Sequence, residues 1–204
     1  MKVTAIKYGD SYFFENWVTP NGNPDKRLDI IFQVFLIEYQ DKLILVDAGC
    51  ETMPGFEMSN FCGTVKALEN IGIKPYDITD VIITHSHHDH IECIKYFENA
   101  VIHIQRDEFE EGKHFILDNF KVNIFEEDYV LYDCIKVLKI GGHSIGSCVV
   151  EFNIDGNDYV IVGDECYIRR YFKKNALKVQ SKNSKAFYEK YNDEKYTLLF
   201  SHDE

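Results

Sequence analysis

The segment "VIITHSHHDH", residues 81–90, sets His85, His87, His88, Asp89 and His90 within six positions and uses four of the chain's eight histidines. Neutral imidazole and carboxylate are ligands for zinc, and also for iron, cobalt or manganese. The apolar run Val81, Ile82 and Ile83 leads straight into the cluster, so a buried strand is expected to end there. Alternate residues beyond a strand can point one way, which brings His85 and His87 to one ion, while a turn into a following helix directs Asp89 and His90 to a second. Three further residues of ligand type stand at the ends of strand-like runs: His143 in "GGHSIGS", Asp164 in "IVGDE" and His202 in "LLFSHD". Functional groups collect on such loops because a rigid scaffold positions them. His88, His103 and His114 have no such setting and are read as structural.

The elements that must carry these residues follow from periodicity. Strands are expected at residues 2–8, 30–39 and 42–49, forming a meander, followed by a helix in "FCGTVKALENIGI" that stops at Gly72. After the strand ending at the cluster come a helix over 91–97, a strand in "AVIHI" and a short acidic helix in "RDEFEEGK". "IKVLKI", "SCVVEFNI" and "DYVIVGDE" return to strand character, the last two joined by a turn at residues 155–157. A helix in "SKAFYEKYN" and a strand in "YTLLFSHD" close the chain. Residues 11–29 and 112–134 are left as loop or cap segments. The aromatics of "SYFFENW", Tyr12, Phe13, Phe14 and Trp17, either pack on the core or wall an apolar pocket.

With 204 residues and 45% hydrophobic content, a single domain over 1–204 is expected. The net charge of −12 repels phosphate backbones and anionic headgroups, so neither nucleic acid nor a membrane is expected as partner. The first residues, "MKVTAIKYGD", lack the apolar core of a signal peptide and no run approaches the roughly 20 apolar residues of a membrane span, giving a cytoplasmic expectation. Six scattered cysteines without a C-x-x-C pair are expected to be reduced thiols. Nothing in the sequence specifies an oligomeric state.

The order H-x-H-x-D-H, glycine-flanked histidine, strand-ending aspartate and final histidine resembles the metallo-β-lactamase superfamily, from about Ile31 to His202. "LILVDAG", with Asp47, resembles that family's early strand and turn. The resemblance implies an α+β fold, a four-layer αββα sandwich, with two divalent metal ions at one edge. It implies a first ion on His85, His87 and His143, a second on Asp89, His90 and His202, and Asp164 bridging both. Cys166 stands near enough to Asp164 to be the alternative ligand of some β-lactamases. Asp47 is a candidate to orient a ligating histidine. Within the superfamily, "DECY" (Asp164, Tyr167), "IQRDEF" and the final "HD" are similar to the N-acyl homoserine lactonases; "DHIECI" departs from the glycine-rich helix start usual there. The chain ends two residues after His202, and no further strand or helix is expected.

The implied activity is metal-assisted hydrolysis of a small ester-like substrate, most directly a lactone. Asp89 would orient the nucleophile and return a proton to the leaving alkoxide, and Tyr167 would stabilise the oxyanion. Thioester hydrolysis of the glyoxalase II type uses the same ligands and is the alternative. A phosphodiesterase fits the charge poorly, and a non-catalytic metal-binding regulator fits intact ligands poorly.

Overall fold

The computed structural model describes residues 1–53 and 55–203. Its first strand is longer than periodicity suggests. Strand β1 spans Lys2–Phe14; after one helical turn, α1 (Glu15–Val18), strand β2 spans Arg27–Tyr39 and pairs antiparallel with it, from Lys2↔Glu38 to Phe14↔Arg27. The expected loop over residues 11–29 is thus corrected: its two ends are strand, and only its middle is connection. Those ends owe their conformation to cross-strand pairing, which local propensity does not report.

Strand β3 (Lys42–Val46) completes the meander. Helix α2 (Thr64–Asn70) buries Ala67 and Leu68, and Gly72, at φ +83°, supplies the left-handed residue that commonly ends a helix. Strand β4 (Asp80–Ile83) then runs parallel to β3, with all four residues buried, as befits a strand covered on both faces. Helix α3 (His88–Ile91) begins inside the histidine cluster, earlier than expected, and continues as a 3-10 turn to Tyr96. Strand β5 (Val101–Gln105), helix α4 (Arg106–Gly112) and strand β6 (Lys121–Phe125) finish a six-stranded sheet in the order β1-β2-β3-β4-β5-β6.

Strands β7 (Tyr129–Leu131), β8 (Ile135–Lys139), β9 (Cys148–Ile154), β10 (Asn157–Ile161) and β11 (Tyr196–Leu199) form the second sheet, ordered β11-β10-β9-β8-β7. Residues 112–134 are therefore also corrected, since they contain β6 and β7. These edge strands are short and only partly buried, so their hydrophobic signal is weak. Asp155 (φ 50°) and Gly156 (φ 87°) make the left-handed two-residue turn between β9 and β10. Helices α5 (Arg169–Lys173) and α6 (Lys182–Tyr191) return the chain so that β11 lies parallel to β10.

Three apolar clusters separate four layers. One lies between the sheets, joining Ile37, Val46 and Ile82 to Val137, Val150 and Ile161. Another joins the opposite face of the first sheet, through Leu45, Val81 and Ile83, to Leu68 of α2 and Ile91 of α3. The last joins Val160 and Leu198 of the second sheet to Phe172 of α5 and to Phe187 and Tyr191 of α6. Alternation along β4 shows the principle: Ile82 faces the partner sheet while Val81 and Ile83 face helices. The result is the αββα sandwich.

Candidate metal centre

The parallel strands β3 and β4 of the first sheet and β10 and β11 of the second deliver their carboxyl ends to one edge. Asp47 follows β3, the histidine cluster follows β4, Asp164 lies in the 3-10 turn Gly163–Glu165 after β10, and His202 follows β11. The loop after β8 brings His143. All seven residues singled out as ligands meet here, in two groups whose ligand atoms lie within 4.8 Å of one another: His85, His87, His143 and Asp164 in one, Asp89, His90 and His202 in the other.

In the first group, His87 Nδ1 is 3.1 Å from His85 Nε2 and 2.9 Å from His143 Nε2, and both of those nitrogens are 3.7 Å from Asp164 Oδ2. In the second, His90 Nε2 and His202 Nε2 are each 3.6 Å from Asp89 Oδ2, and 3.3 and 3.2 Å from Asp164 Oδ1. Asp164 therefore offers one oxygen to each group. Four donors around a zinc ion at about 2.1 Å stand roughly 3.4 Å apart, so the observed spacings suit a tetrahedral ion. His90 Nε2, His202 Nε2 and Asp164 Oδ1 are also buried without a hydrogen-bond partner. Orphaned polar atoms that converge in this way are costly unless something charged satisfies them. The donor set fits divalent metal.

The far side of each ring fixes its orientation. His90 Nδ1 donates to Asp47 Oδ2 at 2.8 Å, and His202 Nδ1 donates to the Ile31 carbonyl at 3.1 Å, which turns both Nε2 atoms toward Asp164. Asp47, the residue expected to orient a ligating histidine, thus holds His90, and it also accepts from the Thr84 amide and hydroxyl. Its φ of +64° makes it a left-handed turn residue as well.

Electrostatics divide the two groups. Burial, and then the neighbouring His90, hold His85 well below the ordinary imidazole range; burial also lowers His143 against the attraction of Asp164. Burial opposes charge on His90 and His202 too, but the carboxylates around them, Asp164 foremost, outweigh it and push both upward. Asp164 is held well below the carboxylate range because His90 and His202 overcome its desolvation. The histidines around Asp164 are thus shifted in opposite directions, His90 and His202 upward and His85 and His143 downward.

A pocket of about 320 Å³ opens onto the centre, lined by Phe13, Met53, Phe56, His87, His88, Asp89, Asp164 and Tyr167. A larger cleft of about 470 Å³ reaches only His202 among the seven and is set aside as a substrate site. The Tyr167 hydroxyl lies 3.5 Å from His143 Nδ1, and burial, then Asp164 and Asp89, push it far up, so it is a neutral donor. Of the "SYFFENW" aromatics, Phe13 walls the pocket, Trp17 packs behind on Phe13 and Phe56, and Tyr12 and Phe14 pair with each other. Cys166 belongs to neither group; its thiol donates to the Ile168 carbonyl and burial pushes it up to about 12. His88 lines the pocket but bonds the Thr52 carbonyl at 2.8 Å, His103 bonds Asp80 at 2.9 Å, and neither belongs to a ligand group.

Sequence reasoning missed the residues that hold the loops. Glu165 accepts from the Gly142 and His143 amides and from Ser147 Oγ, and burial pushes it up to about 7. Glu108 accepts from both the first cluster loop and the His143 loop. Tyr8 donates to the Asp89 carbonyl at 2.9 Å. The signal for Glu108 was present, as the glutamate of "IQRDEF", but an acid in a polar helix reads as a solvated face.

A two-sheet sandwich with a histidine–aspartate centre at its edge defines a class of metal-dependent hydrolases. The model of the Metallo-beta-lactamase superfamily matches residues 33–170, and the chain belongs to that superfamily. An N-acyl homoserine lactonase from Bacillus sp is 29% identical over 178 residues, which cover 74% of this chain and 70% of the relative. The crystal structure of a quorum-quenching N-acyl homoserine lactone lactonase is 25% identical, with TM-score 0.84, covering 99% of this chain and 92% of that one. An N-acyl homoserine lactone hydrolase solved with N-hexanoyl-L-homoserine at its catalytic metal center is similar in fold, at TM-score 0.86 and 23% identity, covering 99% and 93%. The protein is a metal-dependent hydrolase. The superfamily match ends before His202, which the geometry places with Asp89 and His90.

Proposed function

We propose that this chain is a dinuclear hydrolase of ester-like carbonyls whose substrate is a lactone carrying an apolar chain, such as an N-acyl homoserine lactone. The observation that carries this reading is the pocket, in which apolar Phe13, Met53 and Phe56 share one space with Asp89, Asp164 and Tyr167. The lactonase relatives support it.

His85, His87 and His143 would hold one ion and Asp89, His90 and His202 the other, with Asp164 shared by both. Divalent ions held there, of zinc or otherwise of iron, cobalt or manganese, would lower the pKa of water from about 16 toward roughly 7 and polarise a carbonyl. Tyr167 donates its hydroxyl hydrogen to the carbonyl oxygen as negative charge develops there. Asp89, exposed to the pocket, orients the attacking water and takes up a proton that it returns to the ring oxygen as the acyl C–O bond breaks. The product is an open-chain hydroxy acid. Phe13, Met53 and Phe56 exclude water from the chain attached to the carbonyl.

A hydrolysis panel on the zinc-loaded protein tests the reading, with acyl homoserine lactones, aryl esters, glutathione thioesters, β-lactams and phosphodiesters. Lactone turnover exceeding the other classes is expected. Turnover confined to phosphodiesters overturns the reading, and a preference for glutathione thioesters replaces the substrate assignment.

A further inference from the structure

Two loops must be held at a fixed separation for the first group to form. His85 and His87 sit on the loop after β4, and His143 sits on the loop after β8, in the other sheet. No strand pairing joins those loops, and at their bases the Cys148 amide donates to the Thr84 carbonyl at 2.9 Å. Glu108, projecting from α4 and only 3% exposed, lies between them. Its Oε2 accepts from the Ser86 amide at 2.8 Å and the Ser86 hydroxyl at 2.9 Å; its Oε1 accepts from the Ser144 hydroxyl at 2.6 Å and the Gly146 amide at 2.9 Å. Ser86 stands between His85 and His87, and Ser144 follows His143. An ionised carboxylate has about four acceptor positions, and all four are used.

The packing admits little else. A Cβ at Gly146 would come within 2.1 Å of Gln105 Oε1 and 2.9 Å of Glu108 Cγ, so the His143 loop approaches α4 as closely as glycine allows. A Cβ at Gly112 would meet Ser86 Cβ at 2.8 Å, so the end of α4 presses equally on the other loop. Helix α4 is a wedge whose single carboxylate ties both sides. The second group has no such tie to Glu108: His90 and His202 are set by Asp47 and by the Ile31 carbonyl.

We propose that Glu108 is a positioning residue that selectively builds the first metal group, His85, His87 and His143, by clamping the two loops that carry it. This rests on the two-ion reading above. Substitution by glutamine keeps the shape and removes two acceptor positions. Serine hydroxyls can rotate to accept from the new NH₂, but the Ser86 and Gly146 amides cannot. Whichever way the side-chain amide turns, one of those backbone N–H groups faces a donor. One loop is therefore released.

The experiment measures Zn²⁺ affinity by competition with a chromophoric chelator, in two backgrounds. H202A disables the second group and reports on the first; H87A disables the first and reports on the second. E108Q is expected to weaken Zn²⁺ binding about 10- to 100-fold in the H202A background and to leave it within about twofold in the H87A background, the range usual for residues behind metal ligands. Should E108Q misfold, S144A removes one of the four hydrogen bonds and must show the same selectivity with a smaller loss. Equal losses in both backgrounds, or none in H202A, overturn the inference. Wild-type protein that binds two ions while E108Q binds both unchanged defeats this inference alone, whereas wild-type protein that binds no Zn²⁺ defeats the two-ion reading with it.

Discussion

Each of the seven clustered residues is a polar ligand type carried on a segment that follows a strand, and their donor atoms converge in two groups. The spacing His85-x-His87 versus Asp89-His90 parallels the two clusters they form, because α3 begins at His88 and turns the last two residues away. Glu108 and Glu165 escaped notice because a buried acceptor of backbone amides has the same letter as a solvated surface acid. At this scale the chemistry predicts separable effects. Tyr167→Phe removes one donor to the developing oxyanion, and kcat is expected to fall about 10²-fold with KM little changed. Asp89→Ala removes both the proposed ligand and the proposed proton carrier, and a fall of about 10³-fold or more in kcat is expected; near-normal rates from steady-state assays would refute the proposed role. Metal binding also has a proton signature. His90 and His202 have raised values in the metal-free state, so their stabilising charge is present below the unfolded value near about 6.5 and is lost as pH rises through the folded value. Asp164 is depressed, so its contribution is present above about 3.9 and disappears as pH falls through its folded value. Zinc added to metal-free protein near neutral pH should therefore release protons from His90 and His202. Calorimetry in buffers of different ionisation enthalpy measures that release, and a buffer-independent heat would contradict it.

Among the elements, strongly periodic or fully buried segments were readable and paired edges were not. Strand β4 announces itself as an unbroken apolar run, and α2 by Val65, Leu68 and Ile71 with Gly72 behind them. The far end of β1 and the start of β2 are set by each other, and β6 and β7 are edge strands whose exposed positions carry Lys121 and Val130. At the opposite end of β4 from the metal centre, Asp80 is buried and accepts from Tyr132 at 2.9 Å, Thr79 at 2.8 Å and His103 at 2.9 Å, which ties β4 to β5 and to the β7–β8 turn. Burial raises its pKa, but these partners, His103 first, prevail and hold it below the usual value. Its contribution is therefore present above the unfolded value near about 3.9 and lost as pH falls through the lower folded one. Asp80→Ala is expected to cost about 3 kcal/mol at pH 7 by leaving His103 and Tyr132 without their acceptor. Denaturant unfolding from pH 7 to pH 3 should show the deficit shrinking toward the acid end. A pH-independent difference would mean that Asp80 acts through packing alone.

For the whole molecule, the αββα class followed from the resemblance, but the strand order did not. Nothing local distinguishes a fourth meander strand from β4's parallel insertion beside β3, which depends on the α2 crossover packing on the sheet. Net charge was also a blunter guide than it looked. Residues 169–190 hold eight cationic side chains against one acid, Glu189, so the −12 of the chain does not describe this segment. Among the described residues no helix is long and apolar enough to cross a membrane. The sandwich matters for function because only its two parallel edges, one from each sheet, can bring residues as distant in sequence as Asp47, His85, Asp164 and His202 to one point. The most direct test of that construction is to titrate Zn²⁺ into metal-stripped protein while following hydrolysis of N-hexanoyl homoserine lactone. Activity should rise to a plateau at two equivalents per chain, whereas a fully zinc-loaded protein that leaves the lactone intact would contradict the account.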